Sequence, residues 1–353
     1  MAVSHGDAFE GVMIEPKALR AFARDILEAV GARAADADIV AEHMITANLM
    51  GHDSHGVVLL EQYVRWTREG KIRADYEIAV DHDGGAVVVL DGGFGYGQAI
   101  ARHGAELAVE RARAHGISSI FCRNTNHIGR LGEFTEIVAT AGLAAVMFSN
   151  GQGGQLHVAP HGGYGRRLTN NPVSLAAPSA GKPVVHDMAL STVAGGKVLV
   201  AQARGEEIAE GLLLDAEGHP TTDPNTLYTG GALTPLGGHK GYGLILLTEI
   251  LVGILSRGGV SREEDRDFSN AFQLIAIDIE PIVGLDEFAA EVEALRTFIT
   301  DSPRHPDTTE ILFPGDIERA SAEQRRADGI AIEESTWEVI LGVAAETGVE
   351  PPK

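Results

Sequence analysis

The spacing of apolar residues changes twice along this chain of 353 residues, and those changes restrict its fold most. Between residues 15 and 70, apolar side chains such as Leu19, Phe22 and Ile26 recur every three or four positions, which predicts helices. Short strand-like runs begin at Ala86, and amphipathic helices return near residue 286. The pattern therefore predicts helical segments from both ends of the chain and an α/β region between them.

Individual elements follow from the same patterns. We predict helices at 98–115, 286–300, 317–327 and 335–347, a buried helix at 241–255, and strands at 86–90, 117–122, 144–149, 173–177, 197–203 and 272–279. Little strand signal precedes residue 77. A glycine-rich turn, Asp91 to Gly97, joins the first strand to a helix, but the third glycine of the dinucleotide fingerprint is replaced by Gln98. We therefore read it as a tight turn.

Charge and composition limit the partners. The chain carries 28 basic and 50 acidic side chains, a net charge of −22, which argues against nucleic acid and against an anionic membrane surface. Its one cysteine, Cys122, excludes an intramolecular disulfide. The first ten residues show no signal-peptide pattern, and the longest apolar stretch is shorter than a membrane span. We expect a cytoplasmic protein.

The charge is unevenly distributed. Residues 121–260 hold nine basic and ten acidic side chains and are nearly neutral, whereas residues 261–353 hold eight and 22. A buried, turn-rich sheet domain would need few charges. An anionic ligand bound there would also favour a segment without excess negative charge, but composition alone favours the first interpretation.

Three loop motifs carry reactive side chains. The first, His52-Asp53-Ser54-His55-Gly56, lies between predicted helices, where an Asp-Ser pair is also a common helix N-cap. Its residues offer weak support for a zinc site or for a serine nucleophile, and we expect no metal. His127 follows a predicted strand, and its imidazole suits proton transfer near neutral pH, although a lone loop histidine is commonly structural. Lys240 lies in a glycine-rich turn before a predicted helix. The turn either binds an anion at the helix N-terminus or is simply flexible, with the lysine in solvent.

Six motifs in one order together resemble a known family. HDSHGV at 52–57, NTNHIGRLGEF at 124–134, NPVSLAAP at 171–178, DMALS at 187–191, TTDP at 221–224 and PLGGHKGYGL at 235–244 are similar to those of the malate/L-lactate dehydrogenase family. The resemblance spans roughly residues 15–345. The family includes malate, lactate, sulfolactate and ureidoglycolate dehydrogenases, a diketogulonate reductase and cyclic-imine carboxylate reductases.

The resemblance implies a fold and an activity. It implies an α+β fold in which a discontinuous helical domain from both termini, 1–85 and 285–353, encloses an inserted mixed-sheet domain at 86–284 that binds cofactor and substrate and is not a classical Rossmann fold. It also implies an oxidoreductase that transfers hydride between NAD or NADP and a small 2-keto or 2-hydroxy carboxylate, as a homodimer with active sites between subunits.

The resemblance also assigns site residues. It implies His127 as general acid and base, with His55 and Ser54 as the substrate-pocket pair and Tyr63 lining the pocket. The residues that it implies for the cofactor are Asn171, Pro172, Asp187, Met188, Ala189, Ser191, His239 and Lys240.

Departures from the family pattern leave the substrate open. Leu59 stands where many members carry an arginine for the substrate carboxylate, Leu190 replaces a threonine, and Asn170 stands where threonine is usual. Because a carboxylate favours a fork of N–H donors, we predict Arg130 as the substitute. Alternatives are a cyclic-imine carboxylate reductase, a non-redox lyase or epimerase using His127 and His55, a catalytically silent cofactor-binding sensor, and a hydrolase using Ser54.

Overall fold

A computed structural model of the chain describes residues 11–153, 156–262 and 267–352. Met1–Glu10, where the sequence shows no signal-peptide pattern, lies outside them. The strands of the described residues are β1 (Gly11–Ile14), β2 (Ala79–Asp83), β3 (Val87–Asp91), β4 (Ile117–Thr125), β5 (Leu143–Gln152), β6 (Val173–Ala177), β7 (Val184–Met188), β8 (Leu213–Leu214), β9 (Pro220–Thr221), β10 (Ala232–Leu233), β11 (Ser269–Asp278) and β12 (Ile330–Glu333). Its α-helices are α1 (Pro16–Ala29), α2 (Ala34–Leu49), α3 (Leu60–Arg68), α4 (Gly97–His115), α5 (Gly132–Thr140), α6 (Gly195–Arg204), α7 (His239–Thr248), α8 (Glu280–Val283), α9 (Leu285–Thr300), α10 (Asp316–Asp328) and α11 (Glu334–Thr347).

The chain divides into two compact units. The first combines Met1–Asp75 with Asp316–Lys353, and the second is Tyr76–Gly315. The sequence-based domains at 1–85 with 285–353 and at 86–284 remain a prediction. Their boundaries differ from those of the compact units because β2 pairs with β3 in the second unit, which also includes α9.

The first unit is built from helices whose apolar faces meet. Helix α1 begins at a Glu15 cap followed by Pro16, and it buries Leu19, Phe22 and Ile26 against α2. Strand β1 pairs antiparallel with β12, so the two parts of the unit share a two-stranded sheet. Strand β1 was not predicted, because a run of four residues is too short to show a strand period beside the strong helical period that follows.

Among its described residues, the second unit contains a mixed sheet of seven strands in the order β2-β3-β4-β11-β5-β6-β7. Of the strand pairs described in this sheet, β3–β4 is parallel and the others are antiparallel. Helix α4 packs on β4 and β11, and α5 packs on β5 and β6. This mixed α/β architecture confirms the predicted mixture of helices and sheet. No helix among the described residues is long and apolar enough to cross a bilayer.

Two predicted elements differ from the structure. Residues 197–203 form part of helix α6 instead of a strand, because Val198 and Ala201, three positions apart, turn into the core while Leu199 and Val200 remain exposed. The helix predicted as buried over 241–255 is largely exposed on one face. Its second half, Glu249–Ile254, winds as a π-helix.

Candidate functional site

The Ser54–His55 pair lies in the first unit, in a short 3-10 turn over Asp53–His55 between α2 and α3. The Ser54 Oγ atom is 3.1 Å from His55 Nδ1, so the two side chains share a hydrogen bond. Ser54 is exposed and His55 is half-buried. Neither Asp53 nor Ser54 caps a helix by its side chain. Tyr63 lies on α3 and is 1% exposed, so its ring packs inside the protein.

The His127 loop lies in the second unit, directly after β4. The His127 amide donates to Asn126 Oδ1 at 3.3 Å, and the Ile128 amide donates to Asn270 Oδ1 at 3.3 Å. The imidazole is half-buried, with its ring centroid 6.3 Å from that of Phe268. The backbone on both sides of His127 is thus fixed by buried side chains, while its ring keeps access to solvent.

The glycine-rich turn before α4 supports this loop. A Cβ atom on Gly97 would lie 2.3 Å from the His127 carbonyl oxygen and 2.4 Å from that of Asn126. Only glycine permits this approach without displacing the backbone. The turn predicted at Asp91–Gly97 is confirmed, but its contact with the His127 loop had no signal in the sequence, because it joins positions 30 residues apart.

Arg130 is engaged within the second unit. Its side chain is 5% exposed, and Nη2 lies 3.6 Å from Glu136 Oε2. A Cβ atom on Gly132 would lie 2.4 Å from Arg130 Nη1 and 3.1 Å from Asp187 Oδ2. The guanidinium therefore lies in a crowded, acidic interior, which argues against its acting as a free fork for a substrate.

Three segments predicted for cofactor binding meet in the second unit. The Leu190 amide donates to the Asn170 carbonyl at 2.9 Å, and the Leu236 amide donates to the Leu190 carbonyl at 2.8 Å. Leu190, which departs from the family pattern, is fully buried in a cluster with Leu233 and Ile245. The segments 170–172, 187–191 and 235–240 thereby form one continuous backbone assembly. Pro172, Met188 and Ala189 are half-buried within it.

Several side chains of this assembly are committed to structural bonds. Asp187 Oδ2 accepts from the Gly132 amide at 2.7 Å, at the start of α5, and Ser191 Oγ donates to the Val193 carbonyl at 2.8 Å. Asn171 is fully buried and donates to Glu249 Oε1 at 2.7 Å. Glu249 also accepts from the Ser261 amide at 2.7 Å. These bonds tie Asp187 to the start of α5, Asn171 to Glu249 and Ser191 to the backbone that follows it, so the assembly is anchored to its neighbours.

The start of α7 presents an anion-binding geometry. Gly237 and Gly238 both have positive φ, 60° and 63°, immediately before the helix N-terminus. His239 and Lys240 are exposed there, and the ring centroid of His161 lies 5.8 Å from that of His239. Backbone amides, a helix N-terminus and a lysine together favour a phosphate. His161 was not identified from the sequence, since it lies in no motif.

A metal centre finds no support among residues 11–153, 156–262 and 267–352, where no group of three or more His, Cys, Asp or Glu side chains could hold an ion.

Cys122 is buried, and burial raises the pKa of its thiol well above the ordinary value. It therefore remains a neutral thiol.

Comparison with known proteins assigns a class and then a family. The chain is 35% identical over 350 residues to malate dehydrogenase of Pyrococcus abyssi, covering 96% of each chain, and 35% identical over 340 residues to L-lactate dehydrogenase of Cupriavidus necator, covering 94% and 97%. It superposes on delta1-piperideine-2-carboxylate reductase of Pseudomonas syringae with a TM-score of 0.82 at 28% identity, covering 94% and 100%. These similarities define an oxidoreductase. The malate/L-lactate dehydrogenase family model matches residues 14–341, and the chain belongs to that family.

Proposed function

We propose that this protein transfers hydride between NAD or NADP and a small 2-keto or 2-hydroxy carboxylate, with His127 as the general acid and base. The observation that supports the proposal most is that the backbone of His127 is fixed while its ring remains accessible. Its backbone is fixed by Asn126, Asn270 and the close approach of Gly97, while the ring remains partly accessible. A rigidly placed imidazole with solvent access is what a proton donor to a carbonyl oxygen requires.

The cofactor assignment follows from the donors in the assembly of residues 170–172, 187–191 and 235–240. The two positive-φ glycines, the α7 N-terminus and Lys240 fit a pyrophosphate. We assign cofactor binding to Asn171, Pro172, Asp187, Met188, Ala189, Ser191, His239 and Lys240, with Asn171, Asp187 and Ser191 acting through the backbone that they hold in place. When bound, the nicotinamide supplies or accepts the hydride.

The chain's own residues handle the proton and the substrate. During reduction, negative charge develops on the carbonyl oxygen, and the His127 imidazolium donates a proton to it; in the reverse direction the neutral ring accepts that proton. Ser54 and His55 bind the substrate through hydrogen bonds, and Tyr63 completes their surroundings.

The effect of removing His127 tests the proposal. His127→Ala should lower kcat by about 10²–10⁴-fold, the usual contribution of a positioned acid or base. Cofactor binding, followed by nicotinamide fluorescence, should remain. An alanine variant with near-normal turnover would refute the assignment.

Arg130 admits two roles that kinetics can separate. If it binds the substrate carboxylate, Arg130→Ala raises the KM of keto acids and leaves the cofactor dissociation constant unchanged. If it holds Glu136 and the Asp187 segment, as its burial favours, cofactor affinity falls as well.

A cyclic-imine carboxylate reductase is the second candidate. The structural similarity to a piperideine-carboxylate reductase favours it. Turnover of a panel of 2-keto acids and cyclic imines, each with NADH and NADPH, distinguishes the two and identifies the cofactor.

We also propose that the protein is a homodimer. The α7 helix and the π-helix after it expose a continuous apolar face: Leu244, Leu246, Leu247, Ile250, Leu251, Ile254 and Leu255 are each 36–58% exposed. Such a face on a protein with a net charge of −22 favours burial by a second copy. Leu247→Glu should convert a dimer to a monomer in light scattering, and a monomeric wild-type protein would refute the proposal.

A further inference from the structure

An arginine of helix α10 holds the loop that carries Ser54 and His55. Arg325 Nη1 donates to Asp53 Oδ1 at 2.6 Å, and Arg325 Nη2 donates to Asp53 Oδ2 at 3.0 Å. This two-pronged arrangement fixes the carboxylate in orientation as well as in position. Asp53 immediately precedes Ser54, so the orientation of its side chain limits where the serine can lie.

A buried asparagine extends the restraint to the other side of the pair. Asn48 is 3% exposed; its Nδ2 donates to Asp53 Oδ1 at 2.7 Å, and its Oδ1 accepts from the Val57 amide at 2.9 Å. Arg325 also donates to the Asn48 carbonyl. A Cβ atom on Gly56 would lie 2.2 Å from Asn48 Oδ1, so the backbone passes tightly over this amide. The segment from Asp53 to Val57 is thus held at both ends.

Helix α10 makes one more bond to the same segment. Ser321 Oγ donates to the Leu49 carbonyl at 2.9 Å, one turn before Arg325. Ser321 and Arg325, four positions apart on one face of α10, therefore hydrogen-bond to the end of α2 and to the turn that follows it.

We propose that Arg325, through Asp53 and Asn48, is a positioning residue for the Ser54–His55 pair. The inference rests on the proposed function, in which that pair binds the substrate. The Arg325–Asp53 ion pair is partly exposed, with 27% and 51% of the side chains accessible, so it contributes little to the stability of the fold. Its contribution is to the geometry of the hydrogen-bonded Ser54 and His55 side chains, 3.1 Å apart.

The test compares Arg325→Met with Arg326→Met, which removes the same charge from the neighbouring, exposed position of α10. In Arg325→Met we expect the KM of the keto acid to rise about tenfold or more, by the sensitivity of binding sites to small displacements, while the cofactor dissociation constant stays within about twofold. The His55 ring resonance, in protein labelled with ¹³C-histidine and assigned by its loss in His55→Gln, should shift or broaden. Arg326→Met should change none of these.

Two further variants keep the result decisive if Arg325→Met folds poorly. Asp53→Asn should reproduce its effects, and Arg325→Lys, which keeps the charge but loses the fork, should restore KM only in part. An unchanged His55 resonance in both Arg325→Met and Asp53→Asn overturns the proposal. A shifted resonance with unchanged KM also overturns it, because the position that Arg325 gives the pair would then not matter for substrate binding. Neither result depends on whether His127→Ala abolishes turnover, which tests the proposed function separately.

Discussion

The close approach of Gly97 to the His127 loop makes Gly97→Ala a sensitive test of how the proposed acid is positioned. The added Cβ would lie 2.3 Å from the His127 carbonyl oxygen, whereas real Cβ atoms essentially never approach closer than 3.0 Å, so the two must separate by about 0.7 Å (3.0 − 2.3). The atoms in the way belong to the backbone and cannot rotate aside. Asn126 and Ile128, at 1% and 2% exposed, leave little room for the loop to move alone.

A displacement of this size at a reacting group lowers kcat by roughly ten- to a hundredfold, since about 1 Å of misplacement costs about 10²-fold. The matched control is Gly195→Ala. Gly195 is also the first residue of a helix, α6, and nothing lies within 4 Å of its added Cβ. Both substitutions exchange glycine for alanine at the first residue of a helix, so the control isolates the clash. Steady-state turnover per folded molecule, with folding checked by thermal unfolding, gives the answer. A Gly97→Ala enzyme with wild-type kcat would refute the positioning argument.

Three further outcomes are expected. Burial and the nearby Arg166 lower the pKa of His157, so the folded state favours the neutral ring. The resulting contribution to the free energy of unfolding is complete above the unfolded pKa of about 6.5 and is lost as the pH falls below it. Urea unfolding at pH 7.5 and 5.5 should therefore show a larger loss of stability for wild type than for His157→Gln. The raised pKa of the buried Cys122 thiol predicts no reaction with a thiol reagent at pH 8 until urea unfolds the chain; labelling of the native protein would contradict this. Asn171→Ala should lower the free energy of unfolding by about 1–3 kcal/mol, because a buried Glu249 oxygen loses a donor, and denaturant titration measures it.

Local patterns in the sequence predicted most elements, because periodicity reports which face of a segment is buried. The strand at Val173–Ala177 and the helices α9, α10 and α11 lie within a residue or two of their predicted bounds. The strand predicted at 197–203 was wrong because a run of apolar residues does not distinguish a strand from a short helix that buries only some of them. The prediction that the helix at 241–255 is buried was wrong for a related reason. Hydrophobicity alone does not show whether residues of the same chain cover an apolar face.

Contacts between distant positions were beyond the sequence patterns. Residues recognised by motif, such as His55 and His127, form predictions that stand for testing. The groups that hold them, Gly97 beside one and Arg325 near the other, lie 30 and 270 positions away in the chain. Neither carries a local signature, because a glycine before a helix or an arginine on an exposed helix is common.

The pairing of β1 with β12 has a consequence for how the protein forms in time. Gly11 pairs with Glu333, so 322 residues separate the two strands along the chain. At a synthesis rate of about 5–20 residues per second, roughly 15–60 s pass between the appearance of the first strand and that of its partner. The unit Tyr76–Gly315 emerges entirely within this interval. The sheet unit can therefore fold on the ribosome while β1 and the helices α1 to α3 still lack their contacts with β12, α10 and α11.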